Sequence, residues 1–273
     1  MTTMQKIIKY LAIAFGAFLI VSIASGVFGL FSVIAGVTSW TNNRESTVEI
    51  QDSAFSGVFS DDVQILDMEI GAADIRIVVG DELYVETDNP YITAEEVNGT
   101  LVIKEKSHIS DLDGSKLTIY IPEEMVFTKA NITTGAGRID AEQLSCRKLN
   151  MELGAGMAEF QDLTVTDKAD IEGGAGQIVI HNGKLNDLSF EMGLGEGDVA
   201  AALTGNCEIT AGIGALYLTV LGDEDDYTIH AEQGIGRVEV ENRVISGDTT
   251  IGSGSNRLEL EGGIGNITVD FEA

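Results

Sequence analysis

Cysteine and proline occur only twice each in 273 residues, aromatic side chains make up 6% of the chain, and 16 lysines and arginines face 44 acidic residues. These shortages exclude whole classes of protein. Two cysteines build no disulfide framework. Cys146 and Cys207 lie about three repeats of the glycine motif apart, which at the ~4.8 Å spacing of stacked strands is roughly 14 Å. A bridge needs Cα atoms within about 7 Å, so two unpaired, buried thiols are expected. A formal charge of −28 repels nucleic acid, and no nucleic-acid partner is expected. With few aromatics in a chain that is 44% hydrophobic, the interior must be mostly aliphatic. Such residues suit thin cores between strands, and they are too many for a disordered chain.

Charge is also missing from one particular place. Lys6 and Lys9 are the only charged residues before Arg44, and Leu11 to Val37 is almost wholly apolar. A helix crosses a bilayer with ~20 apolar residues, whereas a cleaved signal peptide has an apolar region of about 7–15. Residues 10–40 are therefore expected to form one transmembrane helix whose partner is the lipid bilayer, with Trp40 at its far interface. The two lysines place residues 1–9 in the cytoplasm and everything from Arg44 onward outside the cell membrane. Ser22/Gly26, Ser25/Gly29 and Ser32/Gly36 have the small-xxx-small spacing common in such helices. Residues 41–62 read as a linker.

From Val63 the pattern changes to the alternation of short strands, as in Val63 to Ile70, Ala73 to Val79, Leu101 to Lys104 and Lys116 to Ile121, with Pro122 ending one of them. Residues 63–126 read as irregular coils. In residues 127–273 a tripeptide, Gly-apolar-Gly, recurs at Gly135–Gly137, Gly154–Gly156, Gly174–Gly176, Gly193–Gly195, Gly212–Gly214, Gly234–Gly236 and Gly263–Gly265. The steps between them are 19, 20, 19, 19, 22 and 29 residues. A fixed period near 20 residues marks stacked coils. The expected fold is all-β: a parallel β-solenoid of 19–20-residue coils over residues 63–273, wound right-handed as parallel crossovers are. The fourteen glycines are its structural turns, and the two longer steps are places where loops bulge out.

The middle residue of the triplet runs Ala, Ala, Ala, Leu, Ile, Ile, Ile and is never polar. A turn tip that faces water is usually polar. The expectation is that this residue points into the coil corner.

Chemistry is harder to find. No triplet continues into the fingerprints of a dinucleotide site or a P-loop, and strand-like sequence follows each one. Calcium-binding β-rolls place aspartate two residues after the last glycine of the repeat; here that position holds Ile139, Ala158, Ile178, Gly197, Leu216, Val238 and Ile267. Asp223 to Asp226 reads as a solvated acidic loop. His108, His181 and His230 lack metal-ligand spacing, no Gly-x-Ser-x-Gly elbow occurs, and the arginines are spread along the chain. No catalytic, cofactor or metal residue is nominated, and the chain is not expected to be an enzyme.

The run Leu117 to Pro122, the run Ile132 to Gly137, the later coils and the ending Leu260 to Val269 resemble a bacterial family of membrane-anchored β-strand-repeat proteins, the LiaG-like "putative adhesins". The resemblance spans Val63 to Ala273. It implies a surface or envelope role with an unidentified protein or a cell-wall or surface polymer as partner, and it supplies no catalytic residues. Three roles follow as expectations: a surface binding module, an accessory of envelope-stress signalling, or a glycan-acting β-helix enzyme, the last requiring a groove of converging carboxylates and arginines.

Overall fold

The structure, a computed structural model, describes residues 55–106 and 114–272. The expected membrane-spanning segment, residues 10–40, lies outside them. Among the described residues no helix is long and apolar enough to cross a membrane.

Fifteen strands form one sheet: β1 (Phe55–Val58), β2 (Ile65–Gly80), β3 (Tyr84–Thr87), β4 (Ile92–Val97), β5 (Thr100–Glu105), β6 (Lys116–Pro122), β7 (Phe127–Ile180), β8 (Gly183–Asn186), β9 (Leu188–Thr204), β10 (Asn206–Leu221), β11 (Tyr227–Glu232), β12 (Ile235–Val240), β13 (Arg243–Ile245), β14 (Asp248–Gly252) and β15 (Asn256–Glu272). Pairing along the stack is parallel. β2 joins β7, β7 joins β9, β9 joins β10, and β10 joins β15, with like positions of successive coils side by side. Strand β7 alone winds through nearly three coils without a break.

The inward residues come in short runs along each coil. One coil buries Leu149 and Met151, then Ala158 and Phe160, then Leu163 and Val165. In that coil each pair is a short stretch of β alternation, while later stretches bury three in a row, as Val199, Ala201 and Leu203 or Leu216, Leu218 and Val220 do. Stacking then lines the pairs up between coils, so that Ile75 lies beside Ile139, and Leu216 lies beside both Gly197 and Ile267. The core is a set of aliphatic columns with few rings. Cys146 and Cys207 are unpaired and buried within it, and burial pushes the Cys146 thiol up to about 12.

Coil order differs from chain order. β15 lies between β10 on one side and β11 and β12 on the other, so the Gly263 triplet stacks on the Gly212 triplet and the Gly234 triplet lies outermost. The reason is continuity. β15 is one unbroken coil that matches β10 from Asn206 to Leu221. The Gly234 coil is split between β11 and β12; β12 turns back as a hairpin with β13, and β14 then runs back antiparallel along β11. Residues expected as a bulging loop are therefore the closing strands of this end. Glu241 and Asn242, both with positive φ, form the two-residue turn between Val240 and Arg243.

The other end is closed the same way. β3 runs antiparallel to β6, β1 to β3, and β4 to β5. β1 falls within the expected linker: Phe55 and Phe59 pack against the core, which draws that stretch onto the sheet. At this end no further corner is stacked, among the described residues, beyond the first, Gly71 to Ala73. Glu105 supplies the missing acceptors. Its Oε2 accepts from Gly71 N at 2.7 Å and Ala72 N at 3.1 Å, while its Oε1 accepts from the buried Asn89 Nδ2 at 3.1 Å. Removing this carboxylate takes the acceptor from Gly71 N and Ala72 N and leaves Asn89 Nδ2 with Ser115 alone, so Glu105→Ala is expected to lose about 1–3 kcal/mol in urea unfolding, whereas Glu105→Gln, which keeps one acceptor oxygen, is expected to lose less.

Candidate functional site

The glycine triplets fall into register. Gly176 lies beside Gly195, Gly195 beside Gly214, Gly214 beside Gly265, and Gly236 beside Gly265. A Cβ on Gly154 would meet Gly135 O at 2.2 Å, and one on Gly174 would meet Gly154 O at 2.3 Å, which places the earlier corners on the same column. The missing side chains would therefore point along the stack, into the backbone of the next rung. The second glycine of a triplet also holds a positive φ, 121° at Gly137 and 145° at Gly214, where a side chain is strained.

This geometry overturns the expected direction of the middle residue. With the flanking Cα–H vectors pointing up and down the stack, the apex residue of each bend projects outward. Ala136, Ala155 and Ala175 are exposed, and Leu194, Ile213, Ile264 and Ile235 are 56%, 43%, 51% and 54% exposed. Register places the last four side by side: Leu194 next to Ile213, Ile213 next to Ile264, Ile264 next to Ile235. The corner column is thus a ridge. It is flat and small-sided along Ala72, Ala136, Ala155 and Ala175, and bulky beyond. At the Ala175 corner there is a small crevice lined by the glycines of two successive triplets and by Leu153, Ile178 and Met192. Four stacked aliphatic side chains in water form an uncommon surface on a folded domain, and contiguous patches of this kind mark interaction sites.

One flank of the ridge is acidic. The residue two places before each triplet points outward, and after Thr133 at the first it forms the row Glu152, Glu172, Glu191, Thr210, Glu261, Glu232, with Glu172 beside Glu191 and Glu232 beside Glu261. Among the described residues none of these five glutamates has a lysine or arginine partner. Elsewhere cations are used up locally: Arg138 bonds Glu159 at 2.8 Å, Arg147 bonds Asp167 at 2.8 Å, and Arg257 pairs with Glu259. Partial desolvation on the sheet, then repulsion from Glu191, Glu152 and Asp170, raises the Glu172 carboxyl above its ordinary range. Desolvation and then Glu208, Glu232, Glu259 and Glu191 raise Glu261 likewise.

A carboxyl raised in the folded state favours the fold when protonated. Its favourable contribution is complete below the unfolded pKa and is lost as pH rises through the higher folded value. Glu172→Gln and Glu261→Gln are therefore expected to stabilise the fold at pH 7 by a few tenths of a kcal/mol each. That gain should vanish as the medium is acidified below about pH 4. Paired melts of variant and parent at pH 7 and pH 4 check the sign.

The residues considered for chemistry do not converge. His181 Nε2 lies 3.0 Å from Glu159, whose carboxyl is held low by that contact and by Arg138. His230 faces Thr250 and Asp248 in the closing hairpin. In the acidic loop Asp223 Oδ1 accepts from Asp225 N at 3.0 Å, and Glu224 pairs with Arg243, so these carboxylates hold a turn together. Among the described residues no three histidines, cysteines or carboxylates gather as a metal site.

A stack of coils with an apolar corner ridge beside uncompensated carboxylates defines a class, the solenoid-like β-repeat domains that present a surface. The chain belongs to the Toastrack DUF4097 family, which matches residues 63–262. Several solved structures are similar to the chain at low identity. A "putative cell adhesion protein" from Clostridium sporogenes is 15% identical, with 81% of this chain and 100% of that one covered and a TM-score of 0.38. A "putative adhesin" from Bacteroides fragilis is 13% identical over 80% of this chain and 98% of its own, TM-score 0.41. A "putative lipid binding protein" from Parabacteroides distasonis is 15% identical over 81% and 96%, TM-score 0.32. No curated protein matches the chain.

Proposed function

We infer that this protein is a non-catalytic surface-binding module of the bacterial cell envelope. Residues 10–40 anchor it in the membrane, residues 1–9 lie in the cytoplasm, and the right-handed coils of residues 63–273 stand outside. The observation that carries this reading is the exposed row Leu194, Ile213, Ile264 and Ile235 beside glutamates without cationic partners. A rigid parallel stack holds these side chains at fixed spacing, which preorganises a contact surface at no further entropic cost on binding. The adhesin names carried by family neighbours agree with that role.

The test is retention of the full-length chain, reconstituted in phosphatidylcholine nanodiscs, on isolated envelope fractions and on purified wall and matrix polymers. The expected result is saturable retention on at least one of them that is lost in Leu194→Ser/Ile213→Ser/Ile264→Ser/Ile235→Ser. Absence of retention on every fraction would remove the binding role. Surface cleavage by an added protease on intact cells, sparing only the N-terminal segment, is the matching expectation for orientation.

A further inference from the structure

We propose that the ridge from Ala175 to Ile235 docks a basic amphipathic helix of a partner protein. The helix would lay its apolar stripe along Leu194, Ile213, Ile264 and Ile235 and turn its lysines or arginines toward the glutamate row. This rests on the reading of the protein as a binding module that works through this corner.

Pitch, width and charge carry the proposal. The four apices belong to adjacent parallel strands, so they repeat every ~4.8 Å and span roughly 14 Å. An α-helix laid along them repeats its apolar side chains every turn, about 5.4 Å, and about ten residues cover the same length. An extended strand laid along them presents same-face side chains roughly 6.7 Å apart and is out of step after one rung. The ridge is one side chain wide, which suits a line of knobs and gives a second sheet face too little to cover.

Charge selects the sign of the partner. Among the described residues Glu152, Glu172, Glu191, Glu261 and Glu232 line one flank without a lysine or arginine partner, and partial burial on the sheet, with repulsion between neighbours added to it, raises the Glu172 and Glu261 carboxyls. A second copy of this chain docked ridge to ridge would set two such rows against each other within a Debye length, about 8 Å in physiological salt. A helix bearing lysine or arginine beside its apolar stripe relieves the same repulsion. Neutralising side chains at that distance also steers the encounter, so association should slow as salt rises.

The experiment uses the full-length chain in phosphatidylcholine nanodiscs, with empty nanodiscs subtracted. The probe is a fluorescein-labelled fourteen-residue peptide with leucine at its first, fourth, eighth and eleventh positions and lysines flanking the stripe. Fluorescence anisotropy should show saturable binding that weakens at least tenfold in the four-serine ridge variant. It should weaken at least fivefold, with a flatter salt dependence, in Glu172→Gln/Glu191→Gln/Glu261→Gln/Glu232→Gln. A peptide of the same composition with the stripe scrambled should not bind. A cooperative melt in both variants, with the glutamine variant at or above the parent's midpoint, confirms that the fold is kept, as the replaced side chains are solvent-exposed. Equal binding of the scrambled peptide, full affinity in the serine variant, tighter binding of a lysine-matched strand-forming peptide, or ridge-dependent dimerisation of the chain itself would each overturn the proposal. If the helix peptide fails while envelope retention is still lost in the serine variant, the helix is wrong and the binding module stands. If retention is absent as well, both fall.

Discussion

Gly195→Val is expected to abolish folding. A Cβ at this position would stand 1.8 Å from Gly176 O and 2.8 Å from its carbonyl carbon, on a residue whose φ is 147°. Neither atom belongs to a flexible side chain. The two rungs are tied together on both sides of the corner, through Ala169 to Gly173 and Gln177 to Ile180, so local yielding would break the parallel ladder. Clash and strained backbone together place the cost in the exceptional range, above about 4 kcal/mol, against a total stability of about 5–15 kcal/mol for a domain. The neighbouring apex supplies the control. Leu194→Ala changes an exposed side chain on the same turn and should alter stability by less than about 0.5 kcal/mol. Soluble yield and thermal melting by circular dichroism measure both. A Gly195→Val protein that melts with the parent would mean that the corners do not stack.

Phe190→Ala ranks next. Phe190 is one of the few rings in an aliphatic core and is 1% exposed. Deleting a fully buried ring costs about 3–5 kcal/mol, because the cavity adds to the lost transfer energy. Its surroundings make the prediction sharper. Gly197 leaves the gap that the ring uses: a Cβ there would lie 3.5 Å from two ring atoms and 2.6 Å from Leu216 Cδ1. Gly197→Ala alone should cost about 1–3 kcal/mol by overpacking. In the double variant Leu216 can swing into the space vacated by the ring, so the combined loss should fall short of the sum by about 1 kcal/mol or more. Urea unfolding of the parent, both singles and the double closes the cycle. Strict additivity would show that Phe190, Gly197 and Leu216 do not share one packing space.

Much of this architecture is legible in the triplets. Their near-constant step places Gly154, Gly174, Gly193 and Gly212 on one column, and alternation such as Ile178-Val179-Ile180 marks the buried pairs between them. Two features were misread for physical reasons. The apolar middle residue suggests burial, yet Met151 and Ala158, Ile171 and Ile178, Leu260 and Ile267 are each seven residues apart across the corner. An odd interval between two inward residues reverses the alternation, which an unbroken strand cannot do. That interval shows that the chain bends there, with its apex turned outward. The exposed ridge is legible in that interval, and counting every apolar residue as core hides it.

The second misreading concerns order. The step of 22 residues holds the loop it suggests, Asp223 to Asp226, whereas the step of 29 holds the β12–β13 hairpin and β14 instead of a loop. The Glu241-Asn242 turn needs two residues with positive φ, and nothing in residues 242–256 announces that the last coil will slip in beside β10. Coil order depends on which edge is long enough to pair, a property of the whole stack. At the opposite end Asn98-Gly99 is a strong two-residue hairpin signal and indeed joins β4 to β5. The first corner escaped because Ala73 stands where the other corners have glycine, and Glu105, thirty-four residues from Gly71, gives no local sign that it finishes that corner.

Three cysteine pairs placed on the ridge distinguish the stacked corner from every arrangement that follows chain order. Parallel neighbours in register stand at the ~4.8 Å strand spacing, within the Cα range of a disulfide, whereas positions two strands apart, near 10 Å, exceed it. Under mild oxidation, with the buried native thiols inert, Ile213→Cys/Ile264→Cys and Ile264→Cys/Ile235→Cys should each form an intramolecular bridge seen by mass spectrometry, and Ile213→Cys/Ile235→Cys should form none. A bridge in that third pair together with none in the first would contradict both the order of the rungs and the ridge built on it.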